Sequence, residues 1–124
     1  MKDRSTILYV DDEIINLQLF TAIFNKKFQI YTADSAPKGM ELLEKYADIE
    51  VVISDMKMPV MNGIEFIKLA KSKFSNILFF ILTGFEITAE IQGAIDNGLI
   101  IKYFSKPFNI SEIETSIVEK IHTR

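Results

Sequence analysis

The 124-residue sequence predicts a single α/β domain in which a five-stranded parallel sheet is covered by helices on both faces. Short apolar runs of strand length alternate five times with longer amphipathic stretches. The runs at residues 51–53 and 77–82 are continuously apolar, which is typical of strands buried on both faces. No repeat, low-complexity tract or linker interrupts the alternation, so residues 1–124 are expected to form one domain, with no output domain in this chain.

The first part of the chain contains two predicted strand–helix units. They are a strand at residues 6–10, a helix at 13–26, a strand at 28–33 and a helix from Ser35 to about Tyr46. The first helix is predicted because four apolar side chains lie on one stripe of its surface: Leu17, Phe20, Ile23 and Phe24. Ser35 is a suitable N-cap for the second helix, and Pro37 lies near its first turn, where proline is tolerated.

The middle of the chain contains two further units. A strand is predicted at residues 51–54, a helix at 63–73, a strand at 77–83 and a helix at 86–97. Pro59, Asn62 and Gly63 supply turn chemistry before the third helix. The fourth helix is predicted from isoleucines at helical spacing (Ile87, Ile91 and Ile95), and it ends at Asn97–Gly98, a left-handed stop signal.

The last unit is a strand at residues 100–104 and a helix at 109–121. Asn109 and Glu112 have the spacing of a capping box. Four isoleucines of this helix are expected to face the core: Ile110, Ile113, Ile117 and Ile121. Five such units joined by right-handed crossovers leave a ligand-binding crevice at the carboxyl ends of the strands.

Composition excludes several classes of function. The net charge of −3 argues against a surface that binds nucleic acid directly. The absence of cysteine excludes disulfides, thiol catalysis and thiolate metal sites. The N-terminal segment has no signal-peptide pattern, and the apolar run at residues 77–82 is far shorter than the roughly 20 residues that span a bilayer. A soluble, cytoplasmic protein without membrane contacts is therefore expected.

Polar residues follow four of the predicted strands. Asp11 and Asp12 follow the first strand, Asp55 the third, Thr83 closes the fourth, and Lys106 lies just past the fifth. Each has an ordinary structural explanation when taken alone: helix capping for the acid pair, a turn acid, a strand end and a solvated surface charge. Their recurrence at equivalent strand ends instead predicts that all of them meet in one crevice.

The chemistry of this set indicates phosphoryl transfer. Three neighbouring carboxylates repel one another unless a cation or a proton intervenes, and oxygen ligands that leave sites for water suit Mg²⁺ or Mn²⁺. A carboxylate beside such an ion can attack phosphorus and form an aspartyl phosphate. The ion and Lys106 would neutralise the phosphoryl oxygens, and Thr83 could donate a hydrogen bond to one of them.

Four segments resemble, in order, the motifs of the response regulator receiver domains of two-component signalling. They are "ILYVDDE", "VVISDMKMPVMNG", "FFILTG" and "YFSKPF". The resemblance covers essentially the whole chain. It implies the CheY-like, flavodoxin-like (βα)5 fold with strand order 2-1-3-4-5. It also implies phosphoryl transfer from a histidine kinase or a histidine phosphotransfer protein, with the signal passing to an unknown downstream protein or to a phosphorylation-dependent homodimer.

The resemblance also implies roles for individual residues. Asp55 is the expected phosphoacceptor, and the metal ligands are Asp11, Asp12 (more directly), Asp55 and the backbone carbonyl of Lys57. Thr83 and Tyr103 match the switch pair, so Thr83 would move to the phosphoryl group and the Tyr103 ring would rotate inward, changing the surface of the fourth helix, fifth strand and fifth helix.

Further residues surround this set. Lys106 would contact the phosphoryl group, and the Lys106–Pro107 bond would be cis. Gly84 would leave room for the phosphoryl group to enter. Two residues are candidate modulators of phosphate lifetime: the side chain of Lys57 and that of Phe85, although a solvated lysine and simple packing are equally open. The lone histidine, His122, is expected at the surface and not as a donor.

Other functions remain open at this point. A metal-dependent phosphohydrolase of the haloacid-dehalogenase type shares the aspartyl chemistry, but such enzymes usually have an acid where Lys57 stands and a cap that 124 residues cannot supply. A flavodoxin-like module binding flavin mononucleotide would need a phosphate cradle, whereas "DDEIIN" repels phosphate. A degenerate receiver acting only as an interaction module would lack some of the site residues, all of which are present here.

Overall fold

The computed structural model describes residues 4–84 and 87–123, which form a five-stranded sheet and five helices. The strands are β1 (Thr6–Val10), β2 (Gln29–Ala33), β3 (Val51–Asp55), β4 (Leu78–Thr83) and β5 (Tyr103–Ser105). The helices are α1 (Ile14–Phe24), α2 (Ala36–Lys45), α3 (Gly63–Lys73), α4 (Ala89–Asp96) and α5 (Ile110–Thr123). All pairs are parallel and the order is β2-β1-β3-β4-β5, which confirms the predicted fold class.

Two layers of helices cover the sheet. Alternate strand residues point to opposite faces, so Ile7 and Tyr9 pack against α1 and α5, and Leu8 and Val10 pack against α2 and α3. We name these the α1–α5 layer and the α2–α3–α4 layer. Within residues 4–84 and 87–123, none of the helices combines the length and apolar character needed to cross a bilayer.

Capping residues define where several helices begin. The Ser35 hydroxyl accepts a hydrogen bond from the Lys38 N–H at 3.2 Å, as predicted. Asn109 accepts one from the Glu112 N–H at 3.0 Å. The carboxylate of Glu112 lies 3.4 Å from Lys102 Nζ, and this ion pair joins α5 to the segment before β5. A reciprocal capping box, which the sequence analysis did not identify, begins α3 at Asn62 and Glu65.

The fourth helix starts later than predicted. Residue 86 lies outside the described residues, and α4 begins at Ala89, because the Thr88 hydroxyl caps it by accepting the Ile91 N–H at 3.2 Å. Ile87 precedes the helix and is 40% exposed, so its assignment to the apolar stripe was wrong. The predicted stop at Gly98 is confirmed by its positive φ of 81°.

The last unit differs from the prediction in two places. Strand β5 has three residues, because Leu99 and Ile100 donate backbone hydrogen bonds to the Ala94 carbonyl and so continue the turn that ends α4. Ile110, expected to face the core, is 48% exposed at the first position of α5. Ile113 and Ile117, one and two turns later, form the buried face.

Candidate functional site

Neighbouring strands end at the same level and bring the predicted polar residues to one edge of the sheet. Asp55 is the last residue of β3 and lies opposite Leu82 of β4. Thr83, the last residue of β4, lies opposite Ser105. Asp11 follows β1 directly, and its backbone N–H donates to the Ala33 carbonyl at the end of β2. The carboxyl ends of all five strands therefore form this edge.

Three carboxylates converge there. Asp11, Asp12 and Asp55 each offer one oxygen, and these oxygens all lie within 4.8 Å of one another. Asp11 is completely buried, Asp55 is 5% exposed and Asp12 is exposed. The cluster thus has a buried floor of two acids and one acid at its mouth.

Lys106 bridges the two buried acids. Its Nζ donates to Asp11 Oδ2 at 3.0 Å and to Asp55 Oδ1 at 3.1 Å. The Lys106–Pro107 peptide bond is cis, as predicted, and the backbone N–H of Lys106 donates to the Thr83 carbonyl. The ammonium group supplies the positive charge that two buried carboxylates require.

Asp11 has more partners than the sequence analysis anticipated. Its Oδ1 accepts the Glu13 N–H at 2.9 Å, so it contributes to the start of α1 as well as to the cluster. Its Oδ2 accepts the Tyr9 hydroxyl at 2.6 Å and the Asn16 side-chain amide at 3.1 Å. Tyr9 and Asn16 were missed. Strand alternation was a usable signal for Tyr9, because residues 9 and 11 point to the same face.

The charges in this cluster shift the acidity of its members. Burial, followed by the charge of Asp11, raises the pKa of Asp55 from 3.8 to about 6, although Lys106 opposes the rise. Burial lowers the pKa of Lys106, but its hydrogen bonds and charge interactions with Asp11 and Asp55 outweigh burial, so that pKa lies above its ordinary value. Near neutral pH, Asp55 is therefore available as a carboxylate and Lys106 is an ammonium.

The donor set fits a divalent cation of the Mg²⁺ class. Such ions prefer oxygen ligands, and they usually bind through a few carboxylates while keeping several waters. The three carboxylate oxygens within 4.8 Å of one another match this preference, and the exposed Asp12 leaves the mouth open to water. Lys57, whose carbonyl was predicted to be a further ligand, lies in the loop between β3 and α3, two residues after Asp55.

The two predicted switch residues, Thr83 and Tyr103, lie on the face of the sheet that the α2–α3–α4 layer covers. Thr83 is 1% exposed and shares its strand parity with Phe79 and Ile81, which pack in the α2–α3–α4 layer. Tyr103 lies opposite Ile81, is half-buried, and packs against the same layer. The structure therefore places Thr83 and Tyr103 on the same face of adjacent strands.

A groove of about 290 Å³ opens beside these residues. Its lining includes Lys57 and Thr83 together with the first turn of α4. Gly84 is exposed, and a Cβ added there would lie 3.7 Å from Lys106 Cδ, an ordinary contact. A small side chain at Gly84 would therefore meet Lys106 without a clash. Phe85, the second predicted modulator, lies outside the described residues.

The chain matches a known family model. The model described as "Response regulator receiver domain" matches residues 7–118. A relative from Bacillus subtilis, sporulation initiation phosphotransferase F, is 33% identical over 112 residues, covering 90% of this chain and 89% of the relative. A hydrogenase transcriptional regulatory protein, HoxA of Cupriavidus necator, is 27% identical over 87% of this chain, which spans only 22% of that relative's length.

Solved structures agree with this match. The crystal structure of a response regulator receiver domain protein from Clostridium thermocellum has a TM-score of 0.84 and 27% identity, covering 95% of this chain and 94% of the other. The fold is therefore shared over nearly the full length of both chains.

Proposed function

The chain belongs to the response regulator receiver domain family, and from this membership we propose that it accepts a phosphoryl group on Asp55 in two-component signalling. Receiver domains interact with histidine kinases and downstream effectors, and the donor proposed here is a phosphohistidine of a histidine kinase or a phosphotransfer protein. The observation that carries the proposal is the Lys106 ammonium, which bridges the buried carboxylates of Asp11 and Asp55 at the edge of the sheet.

The transfer uses the carboxylate of Asp55 as the nucleophile. One Asp55 oxygen attacks the phosphorus atom, the nitrogen–phosphorus bond of the phosphohistidine breaks, and the histidine ring leaves with the bond electrons. A pKa of about 6 keeps most Asp55 carboxyl groups ionised near neutral pH. A divalent cation held by Asp11, Asp12, Asp55 and the Lys57 carbonyl would supply charge neutralisation at the phosphoryl oxygens.

The ammonium of Lys106 is placed to follow the phosphoryl group. It lies 3.1 Å from the Asp55 oxygen, so a phosphoryl group on Asp55 would be within its reach. Thr83 would donate a hydrogen bond from its hydroxyl to one of the new oxygens, and Gly84, which has no side chain, would leave room beside them. The phosphoryl group adds roughly −1.5 to −2 charge, so it would attract the Lys106 ammonium, which otherwise bonds both Asp11 and Asp55.

The output is proposed to pass through the surface formed by α4, β5 and α5. If Thr83 moves toward the phosphoryl group, the half-buried Tyr103 ring can turn inward against α4 and change the surface of α4, β5 and α5. A downstream protein, or a second phosphorylated copy of this chain, would read that surface. The signalling role is that of the family, and the only reactions proposed for the chain are its own phosphorylation and dephosphorylation.

The side chain of Lys57 is proposed to modulate the lifetime of the phosphoryl group. It lines the groove beside Thr83, from which water would approach the phosphoryl group. Phosphorylated wild type and Lys57→Ala should therefore lose the group at different rates. Equal half-lives would remove Lys57 from this role without affecting the assignment of Asp55.

Acetyl phosphate with Mg²⁺, followed by intact-protein mass measurement, tests the function directly. Wild type should gain one phosphoryl group and Asp55→Asn none. Asp34→Asn is a matched control, because Asp34 is exposed and directly follows β2, which ends at the same sheet edge but is an outermost strand. Failure of wild type to gain the group, or its gain by Asp55→Asn, would contradict the proposal. Turnover of a generic phosphate ester would favour a phosphohydrolase instead.

A further inference from the structure

Tyr9 is a fully buried tyrosine near the carboxyl end of β1, and its ring packs in the α1–α5 layer. Its ring is stacked on Phe20 of α1 with a centroid distance of 4.4 Å. Its other neighbour is Phe108, which follows the cis proline and meets the ring edge-on at 6.1 Å. The ring is therefore held between α1 and the segment that carries Lys106.

The hydroxyl of this ring is aimed at the acid cluster. It donates to Asp11 Oδ2 at 2.6 Å, a length typical of a hydrogen bond from a neutral hydroxyl to a carboxylate. A phenylalanine would fill the same hydrophobic space, so packing alone does not account for the hydroxyl. Because an ionised carboxylate only accepts hydrogen bonds, the Tyr9 hydroxyl is the donor in this contact.

We propose that Tyr9 is a positioning residue, whose hydroxyl holds Asp11 in place when Lys106 moves from Asp11 to the phosphoryl group on Asp55. This inference rests on the proposed function. In the structure Asp11 Oδ2 shares the ammonium with Asp55, so a motion of Lys106 away from this position and toward the phosphoryl group would weaken its contact with Asp11. Asp11 is completely buried, and water cannot replace the lost partner without opening the site.

Three protein groups remain to hold the carboxylate after that change, beside the proposed cation: the Tyr9 hydroxyl, the Asn16 amide and the Glu13 N–H. Asn16 is half-buried on α1, and the Glu13 N–H binds the other oxygen. Tyr9 is the buried member of the three and is fixed by aromatic contacts on two sides. Hydrogen-bond partners of metal-ligating side chains commonly affect metal affinity as strongly as activity, so the same hydroxyl should also support cation binding.

Tyr9→Phe tests the role of the hydroxyl, because it keeps the ring. Mg²⁺ affinity is measured by calorimetry, and the rate of phosphorylation by acetyl phosphate is measured at saturating Mg²⁺. We expect both to fall about ten-fold, the lower end of the effect found for hydrogen-bond partners of metal ligands. Tyr31→Phe is the matched control, since Tyr31 lies on β2, stacks on Tyr46 and packs in the other layer. It should leave both values unchanged.

A second variant separates the effect of the Tyr9 hydroxyl through Asp11 from any other effect of this hydroxyl. In an Asp11→Ala background the hydroxyl has no carboxylate to hold, so adding Tyr9→Phe should cause no further loss of Mg²⁺ affinity. A further loss equal to that caused by Tyr9→Phe alone would show that the hydroxyl acts by a route other than Asp11 and would overturn the inference, as would wild-type values for Tyr9→Phe itself. Absence of phosphorylation in wild type would contradict the proposed function, while the Mg²⁺ comparison would still decide the role of Tyr9.

Discussion

The two helix layers differ in what they are made of and in what they hold. The α1–α5 layer is rich in stacked rings, including Phe20 on Tyr9 and Phe80 on Phe104 with centroid distances of 4.4 and 5.3 Å. The α2–α3–α4 layer is mainly aliphatic, and a groove of about 230 Å³ runs between α3 and α4, beside Gly93. The α1–α5 layer packs aromatic rings against the site, and the α2–α3–α4 layer has grooves beside Thr83 and beside Gly93.

The polar residues are divided between the layers by strand parity. Asp11 follows Ile7 and Tyr9 in parity, and Asp55 follows Val51 and Ile53, all in the α1–α5 layer. Thr83 and Tyr103 have the opposite parity and lie with the α2–α3–α4 layer. The residues that hold charge thus lie with the aromatic α1–α5 layer. The residues expected to move lie with the α2–α3–α4 layer, beside its grooves.

The largest effect is expected from removing an aromatic ring of the α1–α5 layer. Phe20→Ala should lower the free energy of unfolding by about 4 kcal/mol, because Phe20 is fully buried and stacks on Tyr9. It should also weaken Mg²⁺ binding, since the Tyr9 ring loses its support. Ile91→Ala, a buried position of α4, is the control in the other layer and should lose stability with little change in Mg²⁺ affinity. Denaturant unfolding and calorimetry would measure both, and equal losses of Mg²⁺ affinity would break the comparison.

A smaller effect is expected at the start of α3, where the backbone of Gly63 packs closely against that of Asp55. Gly63 begins α3, and a Cβ added there would lie 2.3 Å from the Asp55 carbonyl oxygen, which is backbone and cannot rotate away. Gly63→Ala should therefore lower the free energy of unfolding by roughly 3 kcal/mol, the upper range for overpacking, and slow phosphorylation by displacing Asp55. Stability and phosphorylation rate unchanged from wild type would show that the loop before α3 adapts easily.

The third prediction concerns Asp55, which ends the central strand between the two layers. Because its pKa rises from 3.8 to about 6 on folding, the folded protein holds a proton that the unfolded chain releases. The stability from this proton is complete below pH 4 and is lost as pH rises through about 6. In metal-free buffer at pH 7.5, Asp55→Asn should therefore be more stable than wild type, by about 2 kcal/mol.

Thermal unfolding from about pH 4 to 8 checks this, and the advantage of the variant should vanish at the acidic end. Saturating Mg²⁺ should reduce the advantage at neutral pH, since the ion binds the folded wild type and offsets the repulsion. An advantage that stays constant with pH would mean that ionisation of Asp55 is not its cause.

The smallest effect is expected at Gly93, in the middle of α4. Among the described residues, no atom outside its chain neighbours and the backbone of its own helix lies within 4 Å of a Cβ added there, so Gly93→Ala should raise the free energy of unfolding by up to about 1 kcal/mol through helix propensity. If the groove beside Gly93 allows α4 to move on phosphorylation, the same variant should change the output of the phosphorylated protein. That output is measured as its affinity for a partner or for a second copy of the chain. A loss of stability would show that the space beside Gly93 is needed for packing.

Local patterns predicted most elements because they depend on nearby residues. The stripe of Leu17, Phe20 and Phe24 on α1 is buried as expected, and Ser35 caps α2. The errors arose where distant contacts decide the outcome. Ile87 looked like part of an apolar stripe, but Thr88 caps the helix after it. The end of β5 could not be read either, because the turn that ends α4 takes the backbone bonds of Leu99 and Ile100.

The acid cluster was predictable because its members share one rule. Parallel strands end at a common edge, so Asp11, Asp55 and Lys106 had to approach one another once the five strands were recognised. The hydrogen bond from Tyr9 was not anticipated, since tyrosine within an apolar run looks like ordinary core. The proposed roles of Thr83 and Tyr103 stay predictions, to be tested in the phosphorylated protein.

The sequence by itself determined which residues carry charge, where strands and helices alternate and which ends of the strands are acidic, because periodicity and turn chemistry act over a few neighbours. Only the tertiary structure decided how far each charge is buried and which group answers it. The ammonium of Lys106 meets Asp11 across 95 positions of the chain, and the Tyr9 hydroxyl meets it across two, yet both bonds depend on how the rings of α1 and the segment after β5 pack. Burial in a low-dielectric interior makes those contacts obligatory, and burial is a property of the whole fold.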